Sequence, residues 1–198
     1  GIIASMLVIR AIFKVKMEKE SRQIEEENQS SQLVPHVVTY KVENKLIFGR
    51  TLDDLTKLID RNFVVSRIKH NDEVIIPNSD TTLQEGDLLL VVLSLHDESA
   101  LEAFIGRPVE MNWEAIPAPV VSRRILVTRP EFNGRKIGSL RLRMGYRLNA
   151  TRVNRAGLDL LANPNLELQI GDRLTVVGRI EDINRLAEKL GNSTKRLH

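Results

Sequence analysis

Two stretches of this chain are nearly the same: LQEGDLLLVV runs from Leu83 to Val92, and LQIGDRLTVV runs from Leu168 to Val177. The second lies 85 residues after the first. The same offset aligns Gly49 to Gly106 with Gly134 to Gly191 without a gap, and 15 of the 58 columns are identical. They include Gly49/Gly134, Leu55/Leu140, Arg67/Arg152, Gly86/Gly171, Asp87/Asp172 and Leu101/Leu186. A gapless self-match of this length means duplicated structure, because each copy must satisfy the same fold. It leaves room for two like domains and little else in 198 residues.

One copy can be read locally. HVVTYKV (36–42) is β-branched and roughly alternating, hence a strand. Thr51 is placed to cap the helix LDDLTKLIDR, with Asp53 and Asp54 in its first turn. Leu52, Leu55, Leu58 and Ile59 fall on one face of that helix and are expected to be buried. NFVVSRIKH is a second strand, turned at Asn71–Asp72 into a third, EVIIP. Gly86 supplies the turn conformation before Leu88 to Leu93, an uninterrupted apolar run that reads as a central strand. Asp87 is expected to bond backbone amides in that turn rather than to act chemically. Asp97 should then cap a last helix, ESALEAFIG, that ends at Gly106. The order is β-α-β-β-β-α, and the second copy repeats it, with Asn133–Gly134 as the turn, Ile137 and Leu140 on its helix and Gly191 as the last cap. The fold class is α+β: two tandem domains with mostly antiparallel sheets, at 36–116 and 117–198, preceded by an N-terminal helix within 1–32.

The pattern G(R)xLxxL, (V/I)xRI, LQxGDxLxVV resembles the C-terminal domain of the RCK module, also called TrkA-C, about 70 residues twice over. Pro77 becomes Ala162 and Asp54 becomes Ser139 in the second copy, which touches ligand binding more than fold. RCK modules of potassium channels usually carry a Rossmann domain first, but no Gly-x-Gly-x-x-Gly follows a strand here. An apolar start followed by two such domains resembles the soluble region of the aspartate–alanine exchanger family of transporters. That resemblance implies transmembrane domains in the same polypeptide, a place on the cytoplasmic side of the inner (plasma) membrane, and a homodimer. It also implies a regulatory role, with a nucleotide or cyclic dinucleotide as effector at the interface of paired domains. The alternative is a soluble nucleotide-sensing regulator of a potassium or other cation channel or transporter.

The N-terminal segment GIIASMLVIRAIFKV is shorter than the roughly 20 apolar residues that span a bilayer. It reads equally as the end of a membrane helix, with Arg10, Lys14 and Lys16 at the surface, or as a packed amphipathic helix. The run from Met17 to Gln32 is a polar helical linker.

Charge separates the copies. His36 to Gly106 carries 7 Lys/Arg against 12 Asp/Glu, whereas Ser122 to His198 carries 16 against 7. A basic half attracts anions, but 4% aromatic residues and the absence of a recognition motif argue against nucleic acid. There is no cysteine, no metal spacing among the four histidines, and no Walker or nucleophile-elbow motif. These features read as a non-enzyme without cofactor or metal. Binding is more plausible: the strand ends bearing Arg67, Lys69 and His70, and their counterparts Arg152, Asn154 and Arg155, could present cations and amides to a small anionic effector. Arg67 and Arg152 equally suit a structural ion pair shared by both copies, so Arg155 is the stronger ligand candidate. His70, beside a turn, reads as a surface residue.

Overall fold

A computed structural model describes residues 34–191. The N-terminal segment and polar linker lie outside the described residues, as does the expected N-terminal helix. Two four-stranded sheets follow one another along the chain. The first contains β1 (Pro35–Lys41), β2 (Phe63–His70), β3 (Glu73–Ile75) and β4 (Leu88–Ser94), in the order β1-β4-β2-β3 with every pair antiparallel. The second contains β5 (Val121–Leu126), β6 (Asn149–Arg155), β7 (Leu158–Leu161) and β8 (Arg173–Gly178), in the matching order β5-β8-β6-β7. The apolar run β4 is therefore a central strand, as an uninterrupted hydrophobic segment requires, and its counterpart β8 takes the same central place.

Helices cover one face of each sheet. In the first repeat these are α1 (Leu52–Ile59) and α2 (Glu98–Ile105), whose Leu52, Leu55, Ile59, Leu101 and Ile105 pack with Tyr40, Ile68, Leu89 and Val91. Leu58 was expected in this core but is 45% exposed, because α1 presents only a narrow stripe to the sheet. The second repeat uses α3 (Leu142–Tyr146) and α4 (Ile180–Leu190) around Ile125, Phe132, Leu148, Leu174 and Val176.

The copies differ where their caps differ. Thr51 starts α1 with a capping box: its Oγ1 accepts from Asp54 N at 3.1 Å, and Asp54 Oδ2 accepts from Thr51 N at 3.2 Å. At the twin positions stand Lys136 and Ser139, with Gly138 between them. The expected helix is broken there. Ile137–Leu140 forms a 3₁₀ turn, Arg141 takes a left-handed conformation (φ 49°), and α3 runs only five residues. The last helix also departs from expectation. Asp97 precedes α2 but makes no capping bond; its Oδ2 accepts instead from Ser94 Oγ at 2.9 Å.

Each repeat carries a β-bulge at the same place, between Val65 and Arg67 in β2 and between Ala150 and Arg152 in β6. Val65 and Ile68 both reach the first core, and Ala150 and Val153 the second. Residues three apart share a face only because the extra residue, Ser66 or Thr151, interrupts the alternation. The bulge leaves Arg67 opposite Leu90 and Arg152 opposite Thr175, on the sheet faces away from the helices. Across these faces β2 packs against β6, the same strand of each repeat. An interface made by the same surface on both partners is isologous, so the repeats are related by an approximate twofold axis. Residues 107–120 join them, and this connector adds to the edge of β1 through Lys41 N to Arg107 O (3.0 Å) and Val109 N to Thr39 O (2.8 Å). Its buried Trp113 donates from Nε1 to Thr39 Oγ1 at 2.8 Å.

Candidate ligand site between the repeats

The isologous contact leaves a cleft of about 760 Å³ beside β2 and β6. Its walls are built from twin positions: Leu52 with Ile137, Thr56 with Arg141, Phe63 with Leu148, Val64 with Asn149, Val65 with Ala150, Ser79 with Pro164. The cleft therefore straddles the approximate axis. Its lining is largely apolar with a few polar groups, the usual character of a small-molecule pocket, and its volume is within the usual range. Chemically the two walls are unequal. The first repeat offers Asp53, held by Lys57 at 2.6 Å, and the hydroxyl of Thr56. The second offers Arg141, Arg143 and the buried amide of Asn149.

Asn149 ties the walls together, donating from Nδ2 to the Val65 carbonyl across the repeat boundary, while Arg143 Nη2 donates to its Oδ1 at 3.4 Å. Desolvation by the surrounding protein lowers the Arg143 pKa. Asn163 Nδ2 also crosses the boundary, donating to Asn62 Oδ1 at 3.2 Å. None of these residues stood out in the sequence. The one available signal was the replacement of Val64 by Asn149 at the start of β6.

The six basic and amide residues singled out from the sequence do not gather in one place. Arg67 and Arg152 share a second cleft between the sheet faces. Neither has a carboxylate within ion-pair distance among the described residues, so the structural ion pair that also suited them is absent there. Lys69 lies at 3.5 Å from Asp72 and lines a separate surface hollow. His70 Nδ1 lies 2.6 Å from Asp87 Oδ1, half-buried rather than free on the surface. Asn154 donates to Asp159 at 2.8 Å. Arg155 grips Asp172 with two hydrogen bonds (2.9 and 2.8 Å) and the Glu167 carbonyl with a third (2.7 Å). The bond to Asp172 raises the Arg155 pKa.

The turn carboxylates explain this engagement. Asp87 Oδ2 accepts from Gln84 N at 2.9 Å, and Asp172 Oδ2 from Gln169 N at 2.8 Å. Both are almost wholly buried, at 2% and 1% exposure. Each therefore needs a cross-strand donor to offset desolvation, and His70 and Arg155 are those donors. Among the described residues no group of three His, Asp or Glu side chains is placed to hold a metal ion, and no helix is long and apolar enough to cross a membrane.

The family model described as TrkA-C domain matches residues 37–106 and again 121–191. An uncharacterized transporter of Bacteroides thetaiotaomicron is 47% identical over 197 residues, an overlap that takes in all of this chain and 36% of that protein. A putative transport protein of Klebsiella pneumoniae is 32% identical over 197 residues, again across all of this chain and 36% of its own length. The chain thus spans about a third of the curated relatives it matches. Among solved structures, the GsuK RCK domain aligns over 83% of this chain and 65% of its own, with 11% identity and a TM-score of 0.38. The RCK C domain of the potassium transport protein KtrA, solved in complex with cyclic diadenosine monophosphate, aligns over 35% of this chain and 80% of its own, with 28% identity and a TM-score of 0.31.

Proposed function

The chain belongs to the TrkA-C domain family, with two such domains in tandem, and on that premise we propose that it is the ligand-sensing regulatory region of a multi-pass membrane transporter. The observation that carries the reading is the match of the whole chain to about a third of proteins named as transporters. The remaining two thirds of such a protein would hold the transmembrane domains, with this region on the cytoplasmic side of the inner membrane. We propose further that the transporter is an antiporter of the aspartate–alanine exchanger type.

The cleft on the approximate axis supplies a means of regulation. A ligand seated there touches both repeats, so it stabilises the arrangement in which they are closed on each other. A bias on their relative position is a bias on whatever membrane segments they are joined to. A nucleotide or cyclic dinucleotide suits the apolar walls through its base and the Asn149 and arginine side through its polar groups. A homodimer of the whole transporter would form through surfaces other than β2 and β6, which the repeats already use on each other.

Calorimetry of the chain against a panel of adenine nucleotides and cyclic dinucleotides tests the sensing role. One ligand should bind per chain in this cleft, not one per repeat, because both repeats build it. Thr56→Trp, which fills the cleft from an exposed position, should abolish that binding without loss of fold. Absence of heat with every member of the panel, or binding undiminished in Thr56→Trp, would count against an effector here. Substrate exchange by the full-length transporter in vesicles, with and without the bound nucleotide, tests the coupling.

A further inference from the structure

The second cleft between the repeats, about 400 Å³, has a different character. It lies between the two sheet faces and is floored by Leu90 and Val92 of β4 and Thr175 and Val177 of β8. Four arginines line it: Arg67, Arg123, Arg124 and Arg152. One carboxylate, Asp159, faces them, and it already accepts from Asn154. Among the described residues no ion pair reaches any of the four guanidinium groups.

Arg67 is the decisive member. It is 7% exposed, and its Nε is buried with no hydrogen-bond partner. Burial lowers its pKa, offset in part by Glu114 of the connector. Arginine stays protonated under all ordinary conditions, so burial leaves a fixed charge that Glu114 offsets only from a distance, with no carboxylate at ion-pair distance among the described residues. An uncompensated buried charge is strongly destabilising, and proteins keep such a group where something completes it. The twin bulges are what create the situation. They turn Ser66–Arg67 and Thr151–Arg152 together onto the facing surfaces, so hydroxyls sit beside the guanidinium groups. Ser66 and Thr151 are themselves 3% exposed.

We propose that this inter-sheet cleft is a binding site for a phosphorylated small molecule, whose phosphate is the counter-charge that Arg67 and Arg152 lack. Guanidinium forks flanked by hydroxyls match tetrahedral phosphate oxygens, and the volume admits a small organic phosphate as well as pyrophosphate. Four arginines against Asp159 leave an excess of three positive charges among the lining residues, two once Glu114 of the connector is included, which calls for a ligand of about two negative charges. The ligand holds the sheets face to face by bridging arginines of both repeats. The site is separate from the apolar cleft at Asn149, and its test is independent of that one.

The probe is pyrophosphate, added to the full chain at constant ionic strength, with calorimetry and thermal unfolding as readouts. Saturable binding of one pyrophosphate per chain and a rise in Tm are expected. Arg67→Met should weaken that binding tenfold or more and should raise the Tm of the ligand-free chain, since it removes the uncompensated charge while keeping the bulk. Arg152→Met should weaken binding alike, and Arg129→Met, outside the cleft, should leave it unchanged. The proposal is overturned if pyrophosphate does not bind, if Arg67→Met binds as the unaltered chain does, or if sodium sulfate and sodium chloride at matched ionic strength raise the Tm equally, which would be general screening of a basic surface. Thr56→Trp should bind pyrophosphate normally, so loss of the apolar cleft and loss of the anion site are told apart.

Discussion

Asp87 and Asp172 show how one residue can carry opposite readings at different depths of argument. A buried carboxylate beside a histidine or an arginine resembles an active site. The twin at 85 residues' distance removes that meaning, because chemistry has no need of two copies whereas each fold does. The geometry agrees: both carboxylates close a turn on a glutamine amide and hold a cross-strand base. The partner's identity varies between repeats while its job does not. A similar lesson holds at Gly106, the last residue of the first repeat. Its φ of 140° disfavours any side chain, and a Cβ there would fall on the Lys41 carbonyl oxygen. Tyr40 gives this scale a measurable pH dependence. It is fully buried, its hydroxyl faces the Glu98 carbonyl at 3.3 Å, and burial, followed by Glu98 and Glu102, raises its pKa well above 10.0. A group whose pKa is raised by folding contributes fully below its unfolded value and loses that contribution as pH climbs toward the folded one. The chain should therefore lose stability above pH 10 by up to about 1.4 kcal/mol per pH unit from this residue. Urea midpoints at pH 9 and pH 11 should fall less in Tyr40→Phe than in the unaltered chain; equal falls would assign the loss to other groups.

At the scale of elements, most strands were legible because their signals are local: β-branched runs, a turn at Asn71, and a glycine with φ near 83° before β4. Two features were not. The bulges at Ser66 and Thr151 hide in the sequence because VVSRI fits an alternating strand in either phase; only the packing of both Val65 and Ile68 into the core discloses the extra residue. The collapse of the second repeat's helix was hidden by the surviving Leu140, although the loss of Thr51 and Asp54 at positions 136 and 139 carried the cause. A helix start without a cap leaves backbone donors unsatisfied, and Gly138 lowers the cost of leaving the helix. The same logic predicts the effect of removing the cap from the first repeat. Thr51→Ala should cost about 1 kcal/mol, read as a lower urea midpoint, with faster hydrogen exchange confined to Leu52–Ile59. Asp54, whose pKa is lowered chiefly by hydrogen bonds with Thr51, adds a pH signature. Its share of the cap is intact above pH 3.8 and is lost as pH falls through its folded value, so exchange in this helix should quicken in acid in the unaltered chain and much less in Thr51→Ala.

At the scale of the whole molecule, the repeat fixed the number of domains but not how they meet, since an isologous contact is built from side chains that single-strand patterns do not connect. Two side-chain hydrogen bonds cross the seam: Asn149 to the Val65 carbonyl, and Asn163 to Asn62. Asn149 is 3% exposed, so its replacement leaves a buried carbonyl without its donor. Asn149→Asp is the sharper change, because it sets a carboxylate against that carbonyl while keeping the size of the side chain. Trp113, the single tryptophan, bonds to Thr39 on the first sheet and so reports on that sheet. If the repeats act as one cooperative body, tryptophan emission and far-ultraviolet dichroism of the unaltered chain should follow a single urea transition. In Asn149→Asp the two signals should separate, the first repeat keeping its own midpoint while the second, with its broken helix, unfolds earlier. Coincident transitions in the variant would mean that the seam contributes little to cooperativity and that coupling between the repeats runs through the connector at 107–120 instead.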